Sequence, residues 1–182
     1  MGSAVGRRTS LNAYPVGQRE TLAEYAESFG LLAELAIAVA GFAGVSAAFA
    51  GRDRSFQAFE RTRLLALFIN SGAILSGCGV VHTLLLTGAA PETAFRLASL
   101  ATVLVLIGLS VPQMFRVYRA ARNPDSTAER WAINLTVGYL LLSFLLLLAN
   151  AMLGTSYLLV GTLWLLLVYG LWMFWRLLTR AN

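Results

Sequence analysis

The chain reads as an all-α polytopic membrane protein, a bundle of about five transmembrane helices with the N-terminus out and the C-terminus in. Three observations predict this. The sequence is 58% apolar and only 13% charged, about half the charge of an average soluble domain. Its mean hydropathy is +0.69. The apolar residues also come in blocks of 20 or so with almost no charge, the length that crosses a hydrocarbon core.

The blocks fall at about 31–50, 64–88, 97–115, 133–153 and 157–178. Residues 1–20 read as a flexible tail, and residues 21–182 as one transmembrane helical domain. The first block, LLAELAIAVAGFAGVSAAFA, follows TLAE at 21–24. That is a capping box, with Thr21 as N-cap and Glu24 reaching back. A helix from there to Ala50 would be longer than the bilayer core is thick. It therefore either projects from the membrane or bends near Gly30, with Tyr25 and Phe29 at the interface. A signal peptide cut after AFA, before Gly51, is the competing reading. It conflicts with the long acidic lead and with Glu34 inside the apolar core.

The second block holds NSGAILSGCGVVHT at 70–83, discussed below. PET at 91–93 marks the turn after it. The third block carries Pro112, a predicted kink near its end. The fourth opens at a second capping box, STAE at 126–129, with Trp131 as an interface anchor. GTS alone joins the fourth block to the fifth, so the two form a tight antiparallel hairpin. The fifth ends in Trp172 and Trp175, further anchors.

All 14 basic residues are Arg. Ten lie at the ends and loops that the stated topology puts inside; Arg96 and the tail's Arg7, Arg8 and Arg19 lie outside. This excess sets the orientation. The arginines lie in the tail, in loops and at block ends, so the pI near 10 reports topology and not nucleic-acid binding. One Cys excludes an internal disulfide. One His, with one Cys and four Met dispersed along the chain, makes no metal or haem site. The sequence contains no nucleotide loop and no nucleophile–base pair, so neither a cofactor nor a catalytic group is expected.

The candidate site residues lie in the first two blocks. On a helical projection Ser71, Gly72, Ser76, Cys78, Gly79, His82 and Thr83 share one arc of about 160°, with Asn70 and Gly77 at its flank. Ala73, Ile74, Val80 and Val81 lie opposite. Lipid provides no hydrophobic drive between helices, so a small polar face serves either close helix packing with interhelical hydrogen bonds or a wetted pathway. The first block repeats small residues at Ala36, Ala40, Gly44 and Ala48, with Gly41 and Ala38 as a second strip. Helices one and two are expected to pack through these faces, or each on a neighbouring subunit. Glu34 is the one carboxylate within a block. It reads as lying about one turn inside the outer interface, solvated or paired with Arg96; if deeper, it becomes a proton or cation ligand. Ser143 and Asn150 make a smaller stripe that bonds to another helix.

RVYRAARN at 116–123 resembles the Arg-rich loop of the membrane-associated family of eicosanoid and glutathione metabolism. Such a resemblance implies a trimeric four-helix bundle that uses glutathione. It covers eight residues. Ser126 stands where that family has Glu, and this chain has an extra span, so no catalytic residue carries over.

Two functional expectations follow. One is a homo-oligomeric channel or permeation protein, its pathway lined by small and polar residues of the first two helices. The other is a non-conducting scaffold or regulatory subunit that grips another membrane protein or anionic lipid. A glutathione- or lipid-handling enzyme is the remote third. The expected setting is a membrane, specifically a bacterial cytoplasmic membrane.

Overall fold

The computed structural model describes residues 16–50, 58–120 and 127–178, with side chains over 24–46, 64–112 and 134–176. The described residues form helices and turns only. The helices are α1 (Val16–Ala50), α2 (Ala58–Leu86), α3 (Pro91–Ala120), α4 (Thr127–Leu153) and α5 (Ser156–Leu178). Each contains a segment long and apolar enough to span a bilayer: Glu24–Ser46, Leu64–Leu86, Pro91–Pro112, Asn134–Leu153 and Ser156–Arg176. The chain is an integral membrane helical bundle.

Its surface supports the same conclusion. Leu104, Phe42, Leu141, Leu145 and Met152 are all exposed, a large apolar skin that water would not tolerate. The backbone polar groups are closed within the helices, as hydrocarbon demands.

Some boundaries differ from the expectation. α1 begins at Val16 and runs unbroken for 35 residues, about 52 Å at the standard rise. Thr21 therefore lies inside the helix and does not cap it, and there is no break at Gly30. Over the residues with described side chains, the apolar segment of α1 is Glu24–Ser46. Tyr25 and Phe29 both pack on Phe95 of α3, with ring centroids 5.5 Å and 6.1 Å away. α3 likewise begins at Pro91, six residues before the apolar block, because Pro suits a first helical turn. It runs through Pro112 as one helix. α4 starts at Thr127, one residue after the predicted cap Ser126, which lies outside the described residues, as does most of the tail. Trp131 lies in α4 where side chains are not described.

α2 is the central helix. It packs on α1, α3 and α5, and 56% of its span is buried against 17% for α4. Gly77 is what lets α2, α3 and α5 approach: a Cβ there would lie 2.6 Å from Thr102 Oγ1 of α3 and 3.4 Å from Leu163 of α5. The main core joins Leu32 and Ala36 of α1 to Ile74 and Val81 of α2, Ala98 and Leu106 of α3, Leu147 of α4 and Leu159, Leu163 and Leu166 of α5. A second cluster at the other end gathers Ala43, Leu64, Leu67, Tyr169 and Met173.

The two short turns lie at one end of the bundle. After α2, Ala89 N–H donates to Leu84 O (3.0 Å) and Gly88 N–H to Leu85 O (3.1 Å), a Schellman motif with Gly88 at φ 82° in the left-handed position. After α4, Gly154 takes φ 71°, and its N–H donates to Asn150 O at 2.7 Å. These two turns define the turn end of the bundle.

Candidate functional site on the outer faces of the first two helices

The polar groups divide into an internal set and an outward set. The internal set is bonded within the subunit. Asn150, fully buried, donates through Nδ2 to Ser99 Oγ (2.8 Å). Its Oδ1 accepts from Thr155 N–H and Thr155 Oγ1, both at 3.0 Å. One amide thus ties the end of α4 to α3 and to the start of α5. Ser99 and Thr102 donate back to Phe95 O and Ala98 O at 2.9 and 2.8 Å. Thr162 does the same to Leu158 O. Ser156 Oγ donates to Tyr25 OH across 131 residues of sequence, at 3.3 Å. Asn70 reaches Leu166 O of α5 at 3.5 Å, the outer limit of a hydrogen bond. On α5, Tyr169 OH donates to Thr136 Oγ1 of α4 (2.6 Å) and its ring stacks on Tyr139 at 3.8 Å. Two buried hydroxyls, Tyr139 and Ser143, lie one turn apart on α4 and within reach of each other, but neither makes a well-formed hydrogen bond.

The expected stripe on α2 is split by this arrangement. Asn70, Ser71 and Cys78 are buried, Gly72 and Ser76 are half-buried, and Gly79, His82 and Thr83 are exposed. The aliphatic residues Ala73, Ile74 and Val81, drawn as the opposite face, are more deeply buried than the stripe. The physical reason is that α2 touches three helices, which occupy most of its circumference. Only the sector of Gly72, Gly79 and Thr83 stays open, with His82 at its border. A Cβ on Gly72 or Gly79 would meet nothing within 4 Å. Thr83 Oγ1 satisfies itself on Gly79 O at 2.8 Å.

α1 is split in the same way. Ala36 and Ala43 are buried, Ala40 is half-buried, and Gly44 faces Phe68 of α2, 3.5 Å from its would-be Cβ. That side of α1 packs on the bundle; Ala48 lies where side chains are not described. The other strip faces away. Gly30, Glu34, Ala38, Gly41 and Val45 are all exposed, within an arc of about 80° on the helix. A Cβ on Gly30 or Gly41 would meet nothing.

Glu34 lies about midway along the part of α1 that packs on the bundle. At the turn end Tyr25 bonds Ser156, the first residue of α5. Towards the other end Phe42 packs on Phe174, with centroids 6.1 Å apart. Glu34 lies nine residues beyond Tyr25 and eight before Phe42, so about 13 Å and 12 Å from them. It therefore sits about midway between these two contacts along the bundle. Arg96 is instead at the turn end, its Nε 2.8 Å from where a Cβ of Gly154 would be, and makes no ion pair with Glu34. Among the described residues, neither Glu34 nor His82 has a hydrogen-bond or ion-pair partner. A charged side chain at the centre of a membrane helix costs about 2.5–3.5 kcal/mol on an insertion scale, so an outward carboxyl at this depth calls for a partner.

Sequence reasoning overlooked Ser99, Thr102, Thr162 and the Tyr139–Tyr169 stack. Ser99 and Thr102 carried a readable signal, since they are polar, three residues apart and on one face of an apolar block. Among the described residues no three His, Cys, Asp or Glu side chains come together. The bundle defines a small integral membrane protein. Comparison with protein-family models, with curated proteins and with solved structures finds no match.

Proposed function

We propose that the chain is the subunit of a homo-oligomeric membrane assembly, with a permeation pathway along the seams between subunits and lined by small and polar residues of α1 and α2. One observation carries this reading: Glu34 faces outward, about midway along the bundle, on a helix face where Gly30 and Gly41 leave open space. Such a face suits the close backbone approach of another helix, while hydrocarbon does not suit its carboxyl. The interior of the subunit supports the same choice. Its buried Ser, Thr and Asn groups are mostly bonded to one another or to backbone, and its centre is filled by Ile74, Leu147, Leu163 and Leu166. A route for a polar solute therefore belongs between copies and not through one. Small polar side chains and a narrow seam set selectivity in such a route.

Purified protein in liposomes tests it. The expected result is an oligomer by mass in detergent and a proton or cation flux that Glu34→Gln reduces at least tenfold. A monomer would refute the reading, and an oligomer without flux would leave a non-conducting scaffold in its place.

A further inference from the structure

We propose that neighbouring copies are joined by a carboxyl–imidazole hydrogen bond between Glu34 of one subunit and His82 of the next. The inference rests on the oligomeric reading above and names the contact that builds it.

The argument begins with depth. Copies that share a membrane orientation are related by rotation about the bilayer normal, which leaves depth unchanged, so only residues at similar depth can meet. α2 and α3 run antiparallel and touch at Gly77 and Thr102. Seven residues towards the turn end from that contact lie Leu84 on α2 and Phe95 on α3. Phe95 packs on Phe29 of α1, so Phe29 lies near the level of Leu84. At the other end Gly44 meets Phe68, which gives the same register. Glu34 is thus level with about Cys78, and His82 lies one helical turn, about 6 Å, nearer the turn end.

Side-chain direction closes that gap. Side chains lean towards the N-terminus of their helix. α1 starts at the turn end, so Glu34 leans towards it. α2 starts at the opposite end, so His82 leans away from the turn end. The two groups incline towards a common depth.

Chemistry makes the pair complementary. Glu34 is the carboxylate about midway along the bundle. His82 is the one imidazole in the chain, and Arg96 and Arg176 lie near the ends of their spans. Both groups are exposed, and neither has a partner within the described part of its own subunit. Each stands beside open glycine: Glu34 near Gly30 and Gly41, His82 near Gly79. Two backbones can therefore come close enough for short side chains to bond. The two faces belong to adjacent helices of one bundle. Repeating this contact uses a different face on each side, which is a heterologous interface, the kind that forms a ring when its rotation closes.

The test uses full-length protein in which buried Cys78 is replaced by Ser. A variant with Glu34→Cys and His82→Cys, treated in membranes with a short bis-maleimide, should give a ladder beyond the dimer, while Glu34→Cys alone should give no dimer. In parallel, Glu34→His and His82→Glu should each reduce the oligomer fraction at least fivefold, and the double exchange should restore it. A dimer from Glu34→Cys alone, or single exchanges that leave the oligomer intact, would overturn the pairing while sparing the oligomeric reading. A monomeric parent protein would overturn both.

Discussion

Gly77→Ala tests the packing of the bundle at its tightest point. The added methyl would sit 2.6 Å from Thr102 Oγ1, inside the 3.0 Å that Cβ atoms essentially never breach, and 3.4 Å from Leu163. Thr102 cannot readily give way. It is β-branched and stiff at χ1, fully buried, and its hydroxyl is held by Ala98 O at 2.8 Å. α2 and α3 must therefore separate, and the contacts of α2 with α5 loosen with them. Overpacking of this kind costs about 1–3 kcal/mol. The measurement is unfolding of the purified protein in mixed detergent micelles, followed by circular dichroism. Removing the obstructing atom should rescue the variant, so Gly77→Ala with Thr102→Ala should regain most of the loss. Pairing it with Thr102→Val should not, because a methyl then takes the place of the hydroxyl. Unchanged stability of Gly77→Ala, or equal rescue by Ala and Val, would refute the reasoning.

Three further outcomes are expected. Asn150→Leu removes one donor and one doubly used acceptor, leaving Ser99 and Thr155 short of partners; a loss of about 1–3 kcal/mol should appear in the same unfolding assay. Gly154→Ala places a side chain at φ 71° against Arg96 and Glu92 O, a strained position costing about 1–3 kcal/mol, and should show as faster proteolysis at the α4–α5 turn. Ser143→Ala deletes a buried hydroxyl that lies near Tyr139 OH but makes no well-formed hydrogen bond. It should leave stability unchanged or raise it by up to about 1 kcal/mol, and a clear loss would mean that the hydroxyl is bonded.

The five crossings were legible because membrane insertion depends on length and hydrophobicity, which sequence displays directly. The α4–α5 hairpin was legible for a similar reason: GTS leaves no room for any other path. The facing of α2 was not legible. In water, polarity separates surface from core, but lipid is as apolar as a leucine cluster, so Ile74 and Val81 could as well have faced outward. The place of Glu34 along the bundle was not legible either, because α1 begins at Val16. The apolar block alone suggested a span starting at Leu31, whereas Tyr25 and Phe29 are inside the bundle. Asn150 was readable as a group that bonds another helix, but Ser99 as its partner follows only once the register of α3 against α4 is known.

Helix α5 has a consequence for how the protein is made. It is the last of the five to leave the ribosome, yet it supplies Leu159, Leu163 and Leu166 to the centre and covers Asn70 and Gly77 of the second helix. A product terminated before residue 156 would insert four crossings with an amide and a bare backbone patch turned to acyl chains. Insertion of α5 therefore seals the very surface by which a membrane quality-control protease would tell an unassembled bundle from an assembled one.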